Sequence, residues 1–189
     1  MEPTAAPTAS PTGSPTTQPT AAPTASPMVP TAAATGVSAV GDPHLTNIYG
    51  QKFDIAHAGL HTLAHVPRGS TRARALLRVE AEAERVGAAC ADMYFTSVSA
   101  AGRWAEDTHR GGLVFRSGGN ESQHLAQWMK LGPVELKVVR GHTLQGARYL
   151  NVFLKGLGRT GLAVGGLLGE DSHDRAAAPD PGCRKGVWL

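Results

Sequence analysis

Val134-Glu-Leu-Lys-Val138, then Gly141-His142-Thr-Leu-Gln-Gly146, then Tyr149-Leu-Asn-Val-Phe-Leu154 form the stretch on which the fold turns. Apolar and polar residues alternate in the first run, and Leu150, Val152 and Leu154 fall on one face of the last. A period of two marks a half-buried strand, because successive side chains leave the pleat on opposite faces. Two such runs around a short glycine-containing loop predict a β-hairpin. Further strands are predicted over 60–66, 93–98 and 112–116, with Gly102, Gly118 and Gly119 marking turns. The expected fold class is all-β, with antiparallel sheets packed as a sandwich.

Residues 74–86 read two ways. Leu77, Val79, Ala81 and Ala83 alternate with Arg78, Glu80, Glu82 and Glu84, as in a half-exposed strand. The same residues are good helix formers, and Leu76, Val79, Ala83 and Val86 would share a helical face. The unbroken alternation and the surrounding strands favour a strand.

The N-terminal end is of another character. Pro3, Pro7, Pro11, Pro15, Pro19, Pro23 and Pro27 recur every fourth residue, and Thr follows the first six. PTAAPTASP occurs twice, at 3–11 and 19–27. Proline fixes φ and removes a donor, so polyproline-II geometry is expected, and a Pro/Thr/Ser/Ala tract has too little apolar surface to form a core. Residues 1–36 are therefore read as a disordered, mucin-like stalk open to O-glycosylation, 28–40 as the transition, and 37–189 as one domain.

Glu2 is the only charge before Asp42, so the net charge of +3 belongs almost wholly to the domain. Charges of both signs are interleaved there, with no basic block of the kind that binds nucleic acid. The longest apolar run, 161–169, is glycine-rich and far shorter than a transmembrane helix requires. Met1-Glu2-Pro3 does not open a secretory signal, which leaves a fragment of a longer secreted or membrane-tethered protein or a cytoplasmic chain with a disordered head, and the stalk favours the fragment. Cys90 and Cys183 can pair in an oxidising compartment, closing a loop worth about 4–5 kcal/mol in chain entropy, or stand as two unrelated thiols.

Residues 41–55, GDPHLTNIYGQKFDI, resemble the opening of a von Willebrand factor type D domain. Gly41, Asp42, Pro43, His44, Thr46, Gly50, Phe53 and Asp54 match in register. Gly165-Gly-Leu-Leu-Gly-Glu-Asp-Ser-His-Asp174 is similar to that family's Gly-Leu-Cys-Gly-Asn-(Tyr/Phe)-Asp segment, and the spacing between the two ends suits one such domain. The resemblance implies an all-β sandwich acting in adhesion, extracellular matrix or surface-coat assembly, with an extracellular protein or glycan as partner. It implies a calcium ion held by oxygens from both ends of the domain. The departures are Tyr49 where the family's turn has Asp, His61 where it has Cys, and Leu168 in place of the Cys of Gly-Leu-Cys-Gly. They make this a cysteine-poor relative and remove the basis for disulfide-driven multimers.

Two sites carry candidate chemistry. In Gly41-Asp42-Pro43-His44 the Asp42 carboxyl can attack its own carbonyl carbon and expel the Pro43 nitrogen, with His44 as proton donor. Proteins with this motif, including some mucins and repulsive guidance molecules, cleave themselves there, whereas in most type D domains the motif is a tight turn. The second site is Glu170-Asp171-Ser172-His173-Asp174, whose carboxylates, with Asp42 or Asp54, offer the hard oxygens calcium takes; the plain alternative is a solvated acidic turn. His57, His61 and His65 recur every four residues, but on a strand that spacing spans about 13 Å, too far for one metal ion. They are expected along one strand face.

No nucleophile elbow, P-loop, dinucleotide-binding glycine pattern or CxxC pair occurs, so catalysis on an external substrate is not expected. The remaining rivals to a binding module are a self-processing module and an accessory domain of a larger secreted enzyme.

Overall fold

The computed structural model describes residues 36–86, 92–119 and 125–178. Ten strands follow one another: β1 (Gly36–Val40), β2 (His44–Thr46), β3 (Lys52–Asp54), β4 (Gly59–Val66), β5 (Leu77–Arg85), β6 (Met93–Ala101), β7 (Leu113–Arg116), β8 (Met129–Leu131), β9 (Val134–His142) and β10 (Arg148–Lys155). Two single-turn helices, α1 (Arg103–Glu106) and α2 (Asp174–Ala177), and two 3-10 turns, Arg72–Arg74 and Leu157–Arg159, complete the regular elements among the described residues. The strands form a six-stranded sheet in the order β3-β2-β1-β10-β9-β8 and a four-stranded sheet in the order β4-β5-β6-β7, with every pair antiparallel. The expected all-β class with two antiparallel sheets is what the chain adopts.

The core lies between the sheets. Val37, Ala39, Leu136, Val138, Leu150, Val152 and Leu154 point inward from the first sheet. Val79, Ala81, Ala83, Phe95, Val98, Ala100 and Phe115 answer from the second. The hairpin of β9 and β10 pairs Val138 with Val152 and Leu136 with Leu154, so its alternation maps onto one buried face. The ambiguous stretch is strand β5, with Leu77, Val79, Ala81 and Ala83 buried as the alternation requires. Its outer face is not simply solvated. Glu80 is 5% exposed and held by Arg78 Nε at 2.9 Å and Arg72 at 3.3 Å.

Four strands escaped the sequence reading. Residues 36–40, read as part of the transition, are β1, which pairs with β10 on one side and β2 on the other. Gly-Val-Ser-Ala-Val carries little pattern of its own, and its place comes from two neighbours that supply all its ladder bonds. β2, β3 and β8 are each three residues long, too short for periodicity to register.

β4 is the edge of its sheet, and the segment around Gly165 covers it. His65 and Gly165 exchange both backbone bonds at 2.9 Å, Leu167 N donates to Thr62 O and Leu168 N to Leu63 O. Close approach explains the glycines: Gly166 has φ +89° and a Cβ there would lie 2.7 Å from Leu63 O.

Candidate functional site

The two ends of the domain meet. Ile48 N donates to Leu168 O at 3.0 Å and Ala56 N to Ala176 O at 2.8 Å, while the Phe53 ring stacks on His173 with centroids 4.0 Å apart. Thus the turn between β2 and β3, β3 itself, the Gly165–Gly169 segment and α2 form one clasp. The turn is built by Asn47, which is 2% exposed. Its Oδ1 accepts from the backbone of Tyr49 and Gln51 at 3.0 and 2.9 Å, and its Nδ2 donates to Gln51 Oε1 at 2.7 Å. Asn at this position is the side-chain-to-backbone turn former that sequence chemistry offers, and it was passed over in favour of Tyr49. Tyr49 points to solvent, 48% exposed.

Gly41–His44 is the connection between β1 and β2. Gly41 N donates to Asn151 Oδ1 at 2.8 Å, and Ile55 N to Pro43 O at 3.3 Å, so both sides of the Asp42–Pro43 peptide are tied to the sheet. Asp42 Oδ1 accepts from Met93 N at 3.0 Å. Partial burial pushes the Asp42 carboxyl above the usual range; the Met93 N–H opposes this, and the neighbouring Asp92 and Asp54 carboxylates add to it. Across the β2–β3 pair, His44 Nδ1 lies 2.6 Å from Asp54 Oδ1, both side chains well exposed. The carboxylate orients the ring of the residue that follows Pro43 in the chain. Burial, followed by the Asp92 and Asp42 carboxylates, raises the Tyr94 phenol nearby.

The acidic loop is used internally. Asp171 Oδ1 accepts from Arg68 Nε at 2.7 Å and its Oδ2 from Gly166 N. Glu170 accepts from Arg68 at 3.3 Å and from Val164 N at 3.4 Å. Burial alone would raise the Asp171 carboxyl, but the Gly166 N–H and Arg68 hold it below the ordinary value. Asp174 is exposed and opens α2. The donors expected for calcium, Asp42, Asp54, Glu170, Asp171 and Asp174, are engaged one by one with protein groups or solvent. Among the described residues no three His, Cys, Asp or Glu side chains are grouped as a metal ion requires. Cys90 and Cys183 lie outside the described residues.

The three histidines are not on one strand face. A bulge between Thr62 and Ala64 sets His61 opposite Ala81 and His65 opposite Arg78, residues of opposite parity on β5. His61 Nε2 bonds to His57 O at 2.9 Å, and His65 Nε2 accepts from Gly69 N at 3.1 Å. No helix among the described residues is long and apolar enough to cross a membrane.

No protein-family model matches this sequence, and a search of curated proteins finds no significant relative.

Proposed function

We propose that this chain is a non-enzymatic adhesion, matrix or surface-coat module of the extracellular space, a divergent relative of the von Willebrand factor type D domains. A β-sandwich on a Pro/Thr-rich stalk would present its faces to a protein or glycan. The observation that carries this reading is the meeting of the two motifs through which the sequence resembles that family. Gly41–Ile55 and Gly165–Asp174 pack together through Ile48–Leu168, Ala56–Ala176 and Phe53–His173. In this reading the clasp does by hydrogen bonding and ring stacking what calcium and cysteines are expected to do in the family. The test is to express the full chain behind an added secretory leader in cultured animal cells. O-glycans on the threonines of 4–24 and retention of the chain on the deposited matrix are expected. A chain that emerges without glycans and stays wholly in the medium would overturn the reading.

A second reading, self-processing, is favoured by the environment of Asp42. Its carboxyl is raised in pKa, its Oδ2 takes no hydrogen bond among the described residues, and the oriented His44 follows the scissile bond. Attack of Oδ2 on the Asp42 carbonyl carbon would close a cyclic anhydride, and a proton from His44 would let the Pro43 nitrogen depart. Under this reading, fragments ending at Asp42 and starting at Pro43 accumulate in mild acid and vanish in Asp42→Asn.

A further inference from the structure

We infer that the outer face of the six-stranded sheet binds an acidic polysaccharide, a chain of uronate or sulfated sugar units lying across strands β2, β1, β10, β9 and β8. The inference rests on the reading of the chain as a binding module and names its partner.

The face carries one continuous row of side chains. Thr46 pairs with Ser38, Ser38 with Phe153 and Phe153 with Lys137. Lys137 Nζ then lies 5.7 Å from the Trp128 ring centroid, and Lys155 Nζ sits over the same ring at 3.8 Å. With strands about 4.8 Å apart, the row runs about 19 Å across the sheet. Beside it Trp128, Phe153, Lys155, Ser38 and Thr46 line a shallow groove of about 480 Å³. Trp128 is 40% exposed, and two ammonium groups lie against its ring.

Charge selects the occupant. Lys137 and Lys155 make no ion pair among the described residues, and Glu135 is their one acidic neighbour on β9, set between Lys155 and Lys130 by the register. Two ammonium groups held over an aromatic ring form a fixed positive centre, which attracts an anion more than it attracts a neutral chain. The chain's own Pro/Thr tract, uncharged over 3–27, would leave those charges unmatched.

Geometry selects a sugar over a peptide. The row crosses the strands: β2, β1, β10 and β9 are paired on both sides, and the one free edge, that of β8, runs along the strands and not along the row. A ligand lying along the row is met by side chains. Flat rings for the apolar faces of sugars, hydroxyls from Ser38 and Thr46, and ammonium groups for carboxylates or sulfates match a polysaccharide.

The test is binding of the full chain to immobilised chondroitin sulfate and heparin, with neutral dextran, poly-glutamate and oligo-deoxythymidine as comparisons. Lys137→Ala, Lys155→Ala and Trp128→Ala should each weaken binding to the sulfated sugars by about tenfold, as loss of a central contact does. Arg103→Ala and Arg116→Ala, outside this face, should leave it unchanged, and circular dichroism should report the same fold throughout. Binding that Trp128→Ala leaves intact, or that poly-glutamate matches, would reduce the effect to net charge and overturn the inference. Tighter binding of the oligonucleotide through the same residues would overturn it in favour of single-stranded nucleic acid. Retention on deposited matrix that survives all three row substitutions would refute this ligand and leave the module reading standing. Sugar binding that follows the row in a chain not retained on matrix would do the opposite.

Discussion

The ring of Phe53 lies flat on the imidazole of His173, with centroids 4.0 Å apart and planes 12° from parallel. One belongs to the opening motif and the other to the closing motif, so this stack joins the two ends of the domain. Phe53 is also 9% exposed and reaches the core. Phe53→Ala should cost about 2–4 kcal/mol, a core truncation at the rim of the sandwich. His173→Ala should cost about 0.5–1.5 kcal/mol, the worth of the stack. Urea denaturation of the single and double variants reads both values, and a double variant costing less than the sum would show that the two rings act as a pair.

The Gly165–Gly169 segment seals the edge of β4, and Gly166 is where it comes closest. Its φ of +89° is strained for any L side chain, and the atom in the way is backbone Leu63 O. Gly166→Ala should therefore destabilise the fold by about 2–4 kcal/mol, read as a lower denaturation midpoint. Gly161, also at positive φ but with open space around it, should lose only about 1 kcal/mol on the same change.

Asp42 holds Met93 N with a carboxyl that burial makes costly to ionise. Asp42→Asn keeps an acceptor and removes the charge, so its thermal midpoint at neutral pH should equal or exceed that of the parent. Asp42→Ala leaves the Met93 N–H unpaired and should lose about 1 kcal/mol.

Asp42 and Asp171 act in opposite senses with pH. The folded Asp42 carboxyl is raised above 3.8, so the fold binds its proton more tightly than the unfolded chain. Its contribution is full below 3.8 and is lost as pH climbs through the raised folded value. The folded Asp171 carboxyl is lowered, so its contribution is full above 3.8 and is lost as pH falls through the lowered value. Asp171 is 35% exposed, which keeps the effect modest. Urea midpoints measured from pH 2 to pH 6 should fall less steeply toward acid in Asp171→Asn than in the parent. Arg68→Ala should reproduce that flattening in part, because Gly166 N still holds the carboxylate.

The sheets were legible because β4, β5, β6, β9 and β10 are long enough for alternation to show, and each buries one face. β1 was not, since five residues of mixed character owe their place to β10 and β2, which local pattern does not reveal. At the site, the two segments that carry the resemblance pack against each other. What it could not reveal was Arg68, over a hundred positions from its partners in sequence, whose guanidinium occupies the acidic loop. The histidine spacing misled for a similar reason, because one extra residue at the β4 bulge reverses which face a side chain takes. The exposed Trp128 ring under two lysines emerges only when β8, β9 and β10 lie side by side.

The central claim is that the terminal motifs close a binding module and do not cut it. Intact mass of the full chain, secreted behind an added leader and held at pH 5.5 and at pH 7.5, tests it most directly. The account predicts one unbroken polypeptide at both pH values, differing only by its O-glycans. Paired fragments 1–42 and 43–189, absent from Asp42→Asn, would contradict it and make self-processing the function of the Gly41–His44 turn.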